Sequence, residues 1–407
     1  MTGESASGAV PPDSRRFVVI ASIGVGQILV WGSSYYLLAV LAGPIARDTG
    51  WPEAWIIGAF SLGLLTSGLV SPRVGHLIER FGGRPVLAAS TVLLAIGLLM
   101  QAIAPNLPVF VAAWLVIGLA MGAGLYDPAF ATLGRLYGEH ARSAITHLTL
   151  FGGFASTVCW PLSALFVEQF GWRGASAAYA AISVIVVLPL YLLGVPRETQ
   201  RPVPNRHGAR SGTQARPRRT GDRAAFVILA AGLTVASVIM TVISVHILVL
   251  LQTRGLTLAT AVGFGALIGP SQVGARVLEA AFGRRHHPIW SLLIATVAVA
   301  AGLCMLLGPS SIIGAGFVLY GSGSGIRSIA RGTVPLALFG REGYAILLGW
   351  LAMPILIAQA ASPLLGSMLM EHLGPDMTIV ALIDAAVFNI LLVLPLVPLA
   401  LRRPAVA

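Results

Sequence analysis

Apolar residues in this chain neither alternate nor form narrow stripes; they come in long runs. Stretches of about 20 residues, enough at ~1.5 Å per residue to cross the hydrocarbon of a bilayer, fall at 17–42, 54–75, 85–104, 107–130, 144–167, 175–195, 224–251, 257–275, 288–308, 311–332, 343–369 and 376–401. The pattern predicts twelve membrane-spanning helices and no strand. The first run, Phe17 to Ala42, is far longer than the ~7 to 15 residue apolar core of a signal peptide, so it is read as a helix. Between the sixth and seventh runs lies 196–223, rich in Pro, Gly and Arg, which reads as a flexible linker between two six-helix halves. The expected organisation is a tail at 1–16, a bundle at 17–195, the linker at 196–223, a second bundle at 224–401 and a tail at 402–407.

Charge fixes the expected orientation. Only 10% of the 407 residues are charged, and all 26 basic residues are arginine. The absence of lysine removes a Walker A phosphate loop and any Schiff-base lysine, and with them an ATP-driven pump within this chain. Most arginines fall on one side of the map, eight of them in the linker (197, 201, 206, 210, 216, 218, 219 and 223), whereas Arg47, Arg173 and Arg254 fall on the other. The positive-inside rule then puts both termini and the linker in the cytoplasm, and the arginine-only basic usage with short loops points to a bacterial inner membrane. A basic run also attracts nucleic acid or anionic lipid, but topology accounts for this one, and no nucleic-acid partner is expected. Two cysteines, Cys159 and Cys304, make neither a disulfide framework nor a cysteine-rich metal site. No paired carboxylates, nucleophile elbow or metal-ligand spacing occurs near the spans, and the adjacent His286 and His287 do not share a helix face. The expectation is a chain that is not an enzyme and carries no cofactor or metal.

The sequence repeats itself at an offset near 200. Glu79, Gly83 and Arg84 recur as Glu279, Gly283 and Arg284; Leu136 and Gly138 as Leu338 and Gly340; Pro161-Leu162 as Pro363-Leu364. Gln27, Trp31 and Ser34 on span 1 recur as Ser237, Thr241 and Ser244 on span 7, each trio spaced i, i+4, i+7 on one helical face. Two parallel repeats about an axis along the membrane normal bind solute between the halves.

Between spans 2 and 3, Gly75-His76-Leu77-Ile78-Glu79-Arg80-Phe81-Gly82-Gly83-Arg84-Pro85 resembles the signature loop of the major facilitator superfamily, with Glu79 where Asp is usual. The span count, the basic central loop and a degenerate second copy around Gly274 to Arg285 agree with it. The resemblance implies an all-α polytopic membrane protein of two six-helix bundles related by pseudo-two-fold symmetry, a monomer working by alternating access. It also implies that Gly75, Glu79, Arg80, Gly83 and Arg84, with Glu279 and Arg284 in the second copy, are gating residues, and that spans 4 and 10 face each other across a cavity.

An acid inside a span costs ~2.5–3.5 kcal/mol on insertion scales and asks for a reason. Asp127 on span 4 follows a path of small residues (Ala120, Gly124, Ala131), and its counterpart at offset 200 is Arg327 on span 10, in a stripe with Tyr320, Ser324 and Arg331. The expectation is that Asp127 carries a proton while Arg327 binds an anion or pairs with Asp127 across the axis, so that substrate at Arg327 frees Asp127 to protonate. Arg327 and Arg331 lie toward the cytoplasmic end of their span, and snorkelling anchors are the competing reading. Gln27, Trp31, Ser34 and Tyr35 on span 1 and Thr241 on span 7 are the expected cavity lining. Asp384 on span 12 is read as an interhelical or outer-interface group, and His246, off the polar face of span 7, as packing. Gly152-Gly153 and Trp160-Pro161 on span 5 permit bending but lack the Gly-Pro and Gly-Gly pattern of drug-proton antiporters. Gly124-Leu125-Tyr126-Asp127-Pro128-Ala129-Phe130 resembles the same region of monocarboxylate carriers, which implies a proton-coupled carrier of a small organic anion. Two alternatives stand beside it: efflux of a toxic compound, either a trivalent metalloid such as arsenite or a drug, and a non-transporting solute receptor, for which the linker offers little output domain.

Overall fold

Hydrocarbon offers the backbone no hydrogen bonds, so a chain with this pattern satisfies its own amides by coiling. A computed structural model describes residues 13–198 and 220–402; residues 1–12 of the first tail, most of the linker with Arg201, Arg206, Arg210, Arg216, Arg218 and Arg219, and Arg403 lie outside the described residues. All regular elements among the described residues are helices. They are α1 (Arg15–Thr49), α2 (Glu53–Phe81), α3 (Gly83–Ala102) and α4 (Leu107–Tyr137), then the continuous stretch Ala141–Gly194, then α7 (Asp222–Thr253), α8 (Leu258–Phe282), α9 (Pro288–Leu306), α10 (Ser310–Phe339), α11 (Tyr344–Leu373) and α12 (Pro375–Leu401).

The stretch Ala141–Gly194 is two crossings. Gly171 sits at φ 67°, a left-handed conformation that glycine adopts without strain. Beyond it the chain doubles back: the Tyr179 hydroxyl donates to the Cys159 carbonyl at 3.1 Å and lies 2.7 Å from the Ser163 hydroxyl, contacts impossible along one straight helix. We call the arms α5 (141–170) and α6 (172–194). The twelve expected spans are thus all present, several overrunning their apolar runs: α4 continues to Tyr137 and α10 to Phe339.

The arginines on the sparsely charged side fasten each half to itself. Arg173 donates to Asp48 at 2.5 Å and to the Ala104 carbonyl at 3.2 Å, and Trp172 also donates to Asp48. Arg254 donates to the carbonyls of Leu306 and Leu307 and pairs with Asp376 at 3.2 Å. Between the halves, contacts gather at the arginine-rich end. There α2 meets α11 so closely that a Cβ on Gly75 would lie 2.5 Å from the Ala345 carbonyl oxygen. Tyr344 packs over Gly134, and Phe130 and Ile145 over Gly332. Residues Ala141–Gly153 of α5 pack on Ile268–Phe282 of α8, whereas α5 beyond Ala155 is not packed closely against α8. Gly263, Gly269 and Gly274 of α8 face open space. The halves are closed at the arginine-rich end and parted at the other.

Candidate functional site

The centre of the molecule is organised by a break in α4. Pro128 has no N–H to give the carbonyl of Gly124, four residues earlier, and the helix interrupts at Leu125 (φ −80°, ψ −158°) before resuming at Tyr126. Gln27 of α1 supplies the missing donor, its Nε2 lying 2.6 Å from the Gly124 oxygen. Its Oε1 accepts from Trp31 Nε1 at 3.1 Å. Gln27 is fully buried, so it holds the cavity wall in place and leaves no group for a solute.

The break puts Asp127 in the first turn of a new helix, where the N-terminal dipole favours a carboxylate. Its partner is Arg331: Nε donates to Oδ1 at 2.9 Å and Nη2 to Oδ2 at 2.5 Å, a bidentate pair across the two halves. The expected pairing of Asp127 with Arg327 is therefore corrected by one helical turn. Restarting the helix at Tyr126 brings Asp127 to the level of Arg331, which is no snorkelling anchor. Arg327, 8% exposed, turns to α7 and donates to Ser237 Oγ at 3.3 Å and Met240 Sδ at 2.7 Å. No carboxylate pairs with it among the described residues. A second buried guanidinium was not singled out by its sequence position: Arg276 of α8, 6% exposed, donates to the Thr149 carbonyl at 3.0 Å while its Nε has no partner. The signal for it was the Gly152-Gly153 pair. A Cβ on Gly152 would lie 2.0 Å from the Tyr126 hydroxyl and one on Gly153 2.5 Å from Arg276 Nη1, so the two glycines make room for these side chains.

Facing these arginines is an aromatic wall. Trp31 lies 5.0 Å from both Tyr35 and Tyr126, centroid to centroid, and 5.9 Å from Tyr36; Tyr126 stacks on Phe130 at 5.2 Å. Tyr35 reaches Phe60, and Tyr36 reaches Trp160. Tyr35 is within electrostatic reach of Arg327 and Arg331, and Tyr36 and Tyr126 of Arg276. The hydroxyls expected to face solute are committed elsewhere. Ser34 donates to the Val30 carbonyl at 2.6 Å, Thr241 to Ser237 at 3.0 Å and Ser244 to Met240 at 2.8 Å, the back-bonding to i−4 that serine and threonine adopt in helices. Ser324 is buried on α10 beside Tyr320 and Arg327. His246 lies 3.1 Å from the Pro363 carbonyl, within its own half, and Asp384 is exposed. Cys159 is buried against Gly32 and Cys304 lies on peripheral α9. No cluster of three His, Cys, Asp or Glu fit for a metal occurs among the described residues.

At the closed end, Glu79 reaches Arg135 of α4 at 3.0 Å. Glu198 also pairs with Arg135, at 2.8 Å, and accepts from the Gly83 amide at 3.1 Å. A Cβ on Gly83 would lie 2.0 Å from Thr132 Oγ1. Arg80 is exposed over the Phe81 ring, and Arg84 is half-buried. In the second copy Glu279 accepts from Ser291 at 2.7 Å and lies 3.7 Å from Arg142; the Arg284 side chain lies outside the described part. Arg142 is the cross-half latch, donating to the Gly283 carbonyl at 2.5 Å and to that of His286 at 2.7 Å.

Two helical bundles thus close on each other at the arginine-rich end, with the Asp127–Arg331 pair bridging them. Residues 23–326 match the family model of the Major Facilitator Superfamily, and the chain belongs to that family. Human monocarboxylate transporter 11 is 29% identical over 204 residues, 46% of this chain and 41% of the transporter. A Thermoproteus tenax protein described as an uncharacterized 38 kDa protein is 28% identical over 289 residues, 70% of this chain and 72% of its own. The match to the monocarboxylate transporter thus spans about two fifths of that protein's length. Among solved structures, the human organic anion transporter MFSD10 superposes with TM-score 0.73 at 16% identity, covering 94% of this chain and all of that one. FucP in its outward conformation gives 0.67 at 12% identity, covering 92% and 99%.

Proposed function

We propose that the chain is a proton-coupled secondary transporter that carries a small organic anion by alternating access. The observation that carries the reading is the charge of the chamber: among the described residues Arg276 and Arg327 are buried without a carboxylate partner, and Asp127, the acid beside them, is already held by Arg331. Two desolvated cations are costly unless an anion joins them. The likeness to monocarboxylate transporters supports an organic acid as that anion. A lipophilic cation meets repulsion in such a chamber, and thiolate capture of a metalloid has no cysteine there.

With the arginine-rich end cytoplasmic, the chamber opens outward at the inner membrane. The anion enters and neutralises Arg276 and Arg327. Protonation of Asp127 removes its charge from Arg331, and the bidentate bond that ties α4 to α10 weakens. The closed end then parts while the open end draws together, and solute and proton leave to the cytoplasm. The chain works as a monomer in the bilayer.

The test uses purified protein in proteoliposomes. Arg276→Gln and Arg327→Gln are expected to weaken carboxylate binding by tenfold or more, as loss of a charge-assisted bond does. Asp127→Asn is expected to keep exchange of solute for solute and lose accumulation driven by a proton gradient. Proton-driven accumulation at the wild-type rate in Asp127→Asn would falsify the coupling role.

A further inference from the structure

The two walls of the chamber differ in kind, and the difference selects a ligand. The N-terminal half contributes rings: Trp31, Tyr35 and Tyr36 of α1 and Tyr126 of α4, all partly exposed and linked ring to ring at 5.0 to 5.9 Å. The C-terminal half contributes guanidinium groups, Arg276 and Arg327. Apart from the tyrosine hydroxyls and the guanidinium groups, the polar side chains here are committed within the protein. Gln27 is used by Gly124 and Trp31, and Ser34 and Thr241 return their hydrogens to their own helices.

Resting on the anion-carrier reading above, we infer that the preferred substrates are aromatic monocarboxylates: a planar ring that lies against Trp31 and Tyr126, with one carboxylate turned to Arg276 and Arg327. Ring-on-ring contact favours offset or edge-on geometry and adds to the burial of apolar area. Arginine forks receive a carboxylate through two parallel hydrogen bonds. A ligand of this shape touches α1 and α4 with one end and α8 and α10 with the other. It therefore spans both halves, and its binding draws them together where they are parted. A short aliphatic acid such as acetate reaches only one wall. Gly152 and Gly153 hold both walls in register, because one clears the Tyr126 hydroxyl and the other the Arg276 guanidinium.

The experiment compares benzoate with cyclohexanecarboxylate, two acids of equal carbon count that differ in aromaticity and planarity. Acetate and the uncharged benzyl alcohol complete the set, with titration calorimetry on the purified full chain as the readout. Benzoate is expected to bind about tenfold tighter than cyclohexanecarboxylate, the gain of one or two ring contacts, and benzyl alcohol far more weakly than benzoate. Trp31→Leu or Tyr126→Leu is expected to bring the ratio of the two acids toward one. The wild-type ratio decides by itself, so a variant that does not fold leaves the test intact. Equal binding of benzoate, cyclohexanecarboxylate and acetate overturns the aromatic preference and leaves the anion reading standing. Binding of benzyl alcohol as tightly as benzoate, or of no acid at all, overturns both.

Discussion

Pro128 withholds a hydrogen bond from Gly124, and Gln27, ninety-seven positions away, gives it back. A single side chain thereby sets the break in α4, the attitude of Trp31 and the level of Asp127. Gln27→Ala strands a buried carbonyl and is expected to cost about 1–3 kcal/mol, read as a lowered melting temperature in detergent. Gln27→Glu, which keeps the size but turns a donor into an acceptor, should cost at least as much; a melting temperature equal to wild type in both would show that water satisfies Gly124 instead. Asp127 was legible in the sequence because an acid in a span is expensive. Its partner was not, since a repeat offset counts residues and takes no account of a helix that stops and restarts between Gly124 and Tyr126. The span 1 and span 7 hydroxyls were legible as a polar face, but their bonds to their own backbone are a matter of rotamer. Tyr36 and Tyr126 lacked a signal of their own, since in a membrane span an aromatic residue reads equally as packing.

Among the elements, the start of α9 carries a titrating cap. His287 Nδ1 accepts from the Ile289 amide at 3.2 Å, and its buried Nε2 has no partner. Burial first, and then the nearby Arg142 charge, hold its pKa below the usual 6.5. Because the folded value is depressed, the unfolded chain binds the proton first as pH falls, so stability is fully present above about pH 6.5 and is lost as pH drops through the folded pKa. Melting temperatures are therefore expected to decline between about pH 7 and about pH 5. His287→Asn, which caps without titrating, should flatten that decline; an unchanged slope would assign it to other groups. The sequence showed the element boundaries to within a few residues wherever proline, glycine or charge interrupts an apolar run. It understated α4 and α10, whose last turns leave the apolar pattern and persist because they pack at the closed end.

At the scale of the whole molecule, the chain is two bundles latched at one end. Arg142 contributes two charge-assisted bonds to carbonyls of the opposite half, each worth ~1.5–3 kcal/mol. Arg142→Ala is expected to raise the ratio of the form parted at the arginine-rich end to the closed form by about a hundredfold. The readout is maleimide labelling of Ile145→Cys, buried here against Gly332, in a background with Cys159 and Cys304 replaced; labelling no faster than with Arg142 intact would remove it from the latch. The sequence by itself determined the twelve crossings, the two repeated halves and the crowding of arginine on one side, because hydrophobic run length and charge asymmetry are properties of composition along the chain. It also pointed to Asp127, Arg327 and the Glu79 loop. Only the tertiary structure decided that Arg331 holds Asp127, that Arg276 joins Arg327 as a buried cation with no acid on it among the described residues, and that the rings of one half confront the guanidinium groups of the other. Those are relations between helices that meet across the centre, where the break in α4, the glycines of α5 and the latch at one end set distances that no spacing within a single helix encodes.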